Sequence, residues 1–149
     1  MKLANKILLE KRNDDFEIYE HLPDWLRKVY IFRFEKVIEG VNKKFIKVGK
    51  TDFKEVHDRL IFNHHAFVKG IDKWVDTSMF EYFDELQILS SVQLKTTIAD
   101  KLEKDILRAW GGKSDVKLPK LGGMSEIFSW TKQRETIARE AFEKKRYKK

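Results

Sequence analysis

The chain of 149 residues contains no cysteine. That excludes a disulfide framework and any thiolate-bound zinc, and it fits a reducing cytosol. Nowhere do about 18 apolar residues run together, the length a membrane-spanning helix needs. The early run Ile7-Leu8-Leu9 is too short for the apolar segment of a signal peptide. A cytoplasmic protein without a membrane partner is therefore expected. Histidine is scarce, with four in the chain. His64 and His65 are adjacent and cannot share a helical face, and His57 and His64, which can, have no thiolate to complete a zinc site. A phosphate-loop glycine is missing too: Gly49-Lys50-Thr51 needs a glycine five positions before Gly49, and Lys44 stands there. A nucleoside-triphosphate site is excluded on that ground.

What is present can build a core. Apolar residues make up 42% and aromatic residues 13% of the chain, enough for one domain over residues 1–149. The net charge of +7 is uneven: the excess is zero over 1–28, +4 over 29–70, −4 over 71–100 and +7 over 101–149. Two basic stretches suit a polyanion, because neutralising phosphates releases counterions. The second ends in a basic tail at about 143–149, Glu143-Lys144-Lys145-Arg146-Tyr147-Lys148-Lys149. A merely solubilising surface would carry the same charge.

Hydrophobic periodicity places the elements. Leu3 to Lys11 reads as an amphipathic helix within an N-terminal extension of about 1–27, and Pro23 opens a turn through Trp25-Leu26. Val29 to Phe34 reads as a strand with Tyr30, Phe32 and Phe34 on one face. Glu35 to Lys44 reads as a long connection, and Phe45 to Val48 as the returning strand, with Phe45 and Lys47 pointing the same way. Thr51 or Asp52 is expected to cap a helix running to Gly70, with core positions Val56, Leu60 and Phe67. A third strand is expected at Leu86 to Leu94, with Leu86, Ile88, Val92 and Leu94 on one face. Thr97 is expected to cap a helix to Trp110, with Ile98, Leu102, Ile106 and Ala109 as its stripe and Gly111-Gly112 as its stop. After Ile127-Phe128-Ser129-Trp130 a charged helix begins near Lys132. The fold class is α+β, with a small antiparallel sheet of about three strands flanked by helices.

Glu103 is the acid to notice on that penultimate helix. Asp100 has Lys104 four residues on, and Asp105 has Lys101 four back and Arg108 three on. The residues three and four away from Glu103 are Ala99, Asp100, Ile106 and Leu107. A carboxylate at the border of an apolar stripe requires compensation, from a metal or from a distant cation such as Arg59 or Lys47.

Tyr30, then Lys47-Val48-Gly49-Lys50-Thr51, then Arg59-Leu60, then Glu103 form an ordered series. In order and spacing it resembles the GIY-YIG nuclease superfamily, especially its compact phage-type branch. The resemblance covers about residues 28–130 and includes Gly123-Met124-Ser125-Glu126-Ile127-Phe128. It implies a metal-dependent DNA endonuclease. Tyr30 would match the tyrosine of the first motif, Arg59 the arginine of the first core helix and Glu103 the metal-binding glutamate. Lys47 stands where the second motif has its tyrosine, Lys28-Val29 replaces the first motif's glycine and isoleucine, and no asparagine follows Asn63. The implied cofactor is Mg²⁺, or Mn²⁺, held by Glu103. Tyr30 would take the proton of the attacking water with Lys47 nearby, Arg59 would steady the phosphate, and His64 would assist proton transfer. A nucleic-acid-binding module that has lost cleavage, and an interaction domain with a basic face, are the alternatives.

Overall fold

The structure is a computed structural model that describes residues 20–61, 64–68, 73–77, 83–116 and 127–146, with the backbone alone for 60–61, 64–68 and 73–77. The expected helix at Leu3 to Lys11, the stop at Gly70, the segment Gly123 to Glu126 and the tail beyond Arg146 lie outside the described residues.

The elements follow the order β1 (Leu26–Ile38), β2 (Val41–Thr51), α1 (Val56–Ile61), β3 (His64–Val68), β4 (Lys73–Thr77), β5 (Glu85–Lys95), α2 (Thr96–Ala109), β6 (Ile127–Ser129) and α3 (Lys132–Arg146). A four-stranded sheet runs β5-β1-β2-β6, and β3 pairs with β4 in a separate ribbon. All pairings are antiparallel. The α+β class stands, with β6 as a strand beyond the three expected.

The first hairpin is longer than its apolar residues suggest. Instead of a loop from Glu35 to Lys44, the two strands stay paired up to Ile38 and Val41. They are closed by Glu39 and Gly40 at φ 51° and 79°, the left-handed pair of a two-residue turn whose twist matches the strands. Charged rungs such as Glu35 opposite Lys44 and Lys36 opposite Lys43 hide the strand period from a reading of hydrophobicity alone.

Because strand side chains alternate, β1 and β2 serve two layers. Tyr30, Phe32, Phe34 and Phe45 pack with Val56, Phe83 and Ile127 on one face. Val29, Ile31, Ile46 and Val48 pack on the other with Ala99, Leu102 and Ile106 of α2, and with Ala138 and Phe142 of α3. Each large apolar side chain fully buried there contributes about 1.5–3 kcal/mol.

Strand β5 crosses between the layers. Its pairing with β1 steps from Ile31 opposite Ser90 to Phe32 opposite Ile88, a bulge at Leu89. Leu86 therefore packs on the Tyr30 face, Leu89, Val92 and Leu94 pack on the α2 face, and Ile88 is left exposed. The single face expected for Leu86 to Leu94 is split by that extra residue.

Helix α2 starts one residue before Thr97, with Lys95 at the cap position and no side-chain cap bond. Thr96 instead donates its hydroxyl to Asp24 O at 2.7 Å. Gly111 and Gly112, at φ 116° and 82°, end the helix as expected. Ala99, not Ile98, completes the buried stripe, and Ile98 is exposed.

The outer edge of β6 is met by side chains. Ser114 donates its hydroxyl to Ile127 O, and Ser129 N donates to Asp115 Oδ1 at 2.8 Å. At the opposite end of the sheet, Arg139 and Arg146 of α3 donate to Leu89 O and Ser91 O of β5. No described helix is long and apolar enough to cross a membrane.

Candidate functional site

Tyr30 lies mid-strand on β1, opposite Gly49 on β2. Its ring stacks on Phe32 at 4.1 Å and leans across Gly49. A Cβ placed at Gly49 would lie 2.4 Å from the Tyr30 hydroxyl. The glycine is thus required by the tyrosine: its missing side chain is the space the phenol fills. Lys47 faces the same way, between Phe32 on β1 and Ile127 on β6. Tyr30 is 1% and Lys47 3% exposed.

Thr51 ends β2 and is buried. Its hydroxyl oxygen accepts from Phe53 N at 3.1 Å, which turns the chain toward α1 without the expected helical cap. Helix α1 stops at Ile61, and His64 opens β3, where its backbone pairs with Thr77. His64 is therefore not on the helix with Arg59, and Phe67, expected as a helical core position, is on that strand. The helical spacing of Val56, Leu60 and Phe67 extends across a change to extended backbone. Val56 joins the Tyr30 layer, and Arg59 is half-buried on the same short helix. Asp58, beside it, is buried at 3% exposure, with its Oδ1 3.5 Å from His57 Nε2.

Glu103 comes from the other side of the sheet. It is 6% exposed on α2, within the layer formed by Ala99, Leu102 and Ile106. Among the described residues the cation beside it is Lys50 rather than Arg59 or Lys47, with its Nζ 3.9 Å from Glu103 Oε1. The same ammonium donates to Asp100 Oδ1 at 2.6 Å. That hydrogen bond holds the Asp100 carboxyl below its ordinary range, with Lys104 adding a smaller pull. Lys50 shares a face of β2 with Val48 and Ile46, so a strand extended through Gly49 would have aimed it at α2. Reading Gly49-Lys50-Thr51 only as a failed phosphate loop hid that role.

Comparison with family models, with curated proteins and with solved structures finds no match.

Tyr30 and Lys47 share one face and α1 carries Arg59 beside it, while Glu103 and Lys50 share the other. The sheet lies between the two groups, so the structure does not gather Tyr30, Lys47 and Glu103 in one cleft; the groups adjoin only along the chain, at consecutive residues at the end of β2. Gly49 lies beneath the Tyr30 phenol, Lys50 reaches Glu103, and Thr51 turns the chain into the segment bearing Arg59. Among the described residues, no three of His, Cys, Asp and Glu form a metal cage. A hard cation at Glu103 would take its other ligands from water and phosphate, the mode usual for Mg²⁺. The donor set suits it: Glu103 and Asp100 are oxygen ligands already gathered around one positive charge, the Lys50 ammonium.

Proposed function

We propose that the protein is a metal-dependent DNA endonuclease of the GIY-YIG kind, hydrolysing phosphodiester bonds. The observation that carries this reading is the placing of two arrangements on consecutive residues, Gly49 and Lys50, one on each face of the sheet. A tyrosine is seated over the glycine of the second motif, and a buried glutamate stands against the lysine that follows it. Neither is required by a plain sheet-and-helix core, where an apolar residue at 103 would avoid burying a charge.

Phosphodiester hydrolysis needs an activated water, positive charge on the phosphate and help for the leaving oxygen. Arg59 is the residue to hold a phosphate oxygen, since its guanidinium can bond two oxygens at once. Glu103 and Asp100 would hold the cation, which when bound supplies charge to the phosphate and polarises a water. Lys50, now held by Asp100 and Glu103, would share those carboxylates with the cation and, displaced from them, would turn its charge toward phosphate. Tyr30 is given the water's proton, which requires water to reach a phenol now 1% exposed and set on the opposite face of the sheet from Glu103.

That burial favours a second reading, a nucleic-acid-binding module on the same fold without cleavage. Plasmid incubated with the protein and Mg²⁺, or with chelator, separates the two. The enzyme reading expects metal-dependent nicking that falls by at least about a hundredfold in Glu103→Gln and in Arg59→Ala. It also expects a thermal shift with Mg²⁺ that Glu103→Gln removes. DNA retarded in a gel yet left intact in Mg²⁺ and Mn²⁺ would decide for the binding module.

A further inference from the structure

We infer that Trp25 and the outer side of α2 form a track for single-stranded DNA, with an unpaired base stacked on Trp25 and phosphates set on Lys101, Lys104 and Arg108. The inference rests on the reading that the partner is DNA, adds which form of DNA, and does not depend on cleavage.

Trp25 is 63% exposed, the most of any large apolar residue among those described. The turn that carries it is firmly held. Leu26 N donates to Pro23 O and Thr96 N donates to Trp25 O, both at 3.0 Å, and the Thr96 hydroxyl donates to Asp24 O. Arg27 Nη1 donates to Leu26 O at 2.6 Å and to Pro23 O and Asp24 O at 3.3 Å. The backbone on both sides of the indole is thus engaged while the ring stays outside, a fixed aromatic surface facing water. A nucleobase covers such a surface by stacking, and a base already paired and stacked within a duplex has no face to give.

The bonds to Thr96 place this turn at the foot of α2. Along that helix Thr97, Lys101, Lys104 and Arg108 recur at spacings of four, three and four, so they share one side, and all four are exposed. Lys101 and Arg108 stand about 10 Å apart along the axis. Among the described residues none of the three cations is in an ion pair: Asp100, four residues before Lys104, is taken by Lys50. The remaining acids of the turn and of the exposed side of α2 are Asp24 and Asp105. Against them stand Lys95, exposed at the start of the helix, and the three cations of the stripe, so the surface keeps an excess of positive charge. Single strands are held by this combination, in which an aromatic side chain takes a base and a row of cations follows the backbone.

The track also passes the carboxylates assigned to the cation. Asp100 lies one turn into α2 from Thr96, and Arg27 is near enough to add to the pull that holds its carboxyl below the ordinary range. A strand seated on Trp25 would carry its next phosphates past Lys50 and Asp100.

The test is fluorescence anisotropy of the full chain with a labelled oligothymidylate, and separately with a blunt duplex, across a salt series in chelator. Trp25→Ala should weaken binding of the single strand by about 5- to 150-fold with the salt slope unchanged, Trp25→Phe should recover most of that loss, and duplex binding should not respond to either. Lys101→Gln, Lys104→Gln and Arg108→Gln together should lower the slope of log affinity against log salt by about 2, since each phosphate contact on a single strand contributes about 0.7. Circular dichroism melts of each variant check that the fold is kept, and Lys104→Gln alone, expected to lower the slope by about 0.7, serves if the triple variant unfolds. If wild type binds the single strand and Trp25→Ala and the triple variant keep its affinity and slope, or if wild type binds duplex alone, the track is refuted and the nuclease reading is untouched. If the variants behave as expected but wild type cuts neither form in Mg²⁺ or Mn²⁺, the track stands and the enzyme falls. If wild type binds neither form even at low salt, both fall.

Discussion

Gly49→Ala should destabilise the protein, and the sign of its effect should reverse when Tyr30 is shortened. The added methyl would lie 2.4 Å from the Tyr30 hydroxyl oxygen, 2.5 Å from Cζ and 2.8 Å from Cε2, well inside contact distance. Tyr30 has little room to yield, being 1% exposed and stacked on Phe32, which itself meets Phe34 at 5.8 Å. Overpacking of this kind costs about 1–3 kcal/mol. Alanine in a strand interior is otherwise better than glycine by about 0.5–1 kcal/mol, so a net loss of about 0.5–2 kcal/mol is expected. In a Tyr30→Leu background the obstructing phenol is gone, and Gly49→Ala should become stabilising by about 0.5 kcal/mol or more. Urea unfolding of the four proteins, with slopes held equal, yields the coupling directly. Additive effects within about 0.5 kcal/mol would refute the idea that the tyrosine dictates the glycine.

Arg134→Met should cost about 2–3 kcal/mol, because its guanidinium donates to Ser129 O at 2.8 Å, Trp110 O at 3.1 Å and Asp115 at 3.0 Å, and two carbonyls would lose their donor; a change in the denaturation midpoint below that of an ordinary surface substitution would count against it. Burial pushes the Asp115 carboxyl up, but the Ser129 amide and the Arg134 guanidinium outweigh it and hold it below its usual range. A depressed folded-state value contributes stability above the unfolded value of about 3.9 that is lost as pH falls through the folded one, so Asp115→Asn should flatten the acid limb of Tm against pH, and an unchanged limb would contradict the assignment. Glu39→Asn should stabilise by about 0.4–1 kcal/mol, since Glu39 is held at φ 51° where asparagine is better tolerated; thermal melts showing a loss would place the strain elsewhere.

Much of this architecture could be read from residue patterns, and the misses have physical causes. Val29 to Phe34 and Phe45 to Val48 are recognisable because their apolar side chains are buried on both faces, but the paired rungs beyond them carry charge and look like loop. Val56, Leu60 and Phe67 mimic a helical stripe although the helix ends at Ile61, since a short apolar spacing cannot tell one long helix from a helix followed by a strand. The bulge at Leu89 is silent in sequence because any residue can be the extra one. Ile127 to Ser129 is too short to show a period and is a strand only because Phe45 to Lys47 offers it an edge. For the site, counting partners along α2 singled out Glu103 correctly as a buried acid, but local spacing says nothing of cations arriving from another strand. Lys50 was visible all along, one residue after the glycine that Tyr30 needs.

The sheet's two boundaries bear on how this chain behaves in a crowd of its own copies. An exposed strand edge is a template for adding further strands, and natural proteins blunt it. Here β6 has Ile127 O and Ser129 N occupied by Ser114 and Asp115, while arginines from α3 occupy Leu89 O and Ser91 O on β5. Side chains thus stand at these positions of the four-stranded sheet where an incoming backbone would bond, so edge-to-edge stacking on β5 or β6 has to displace them.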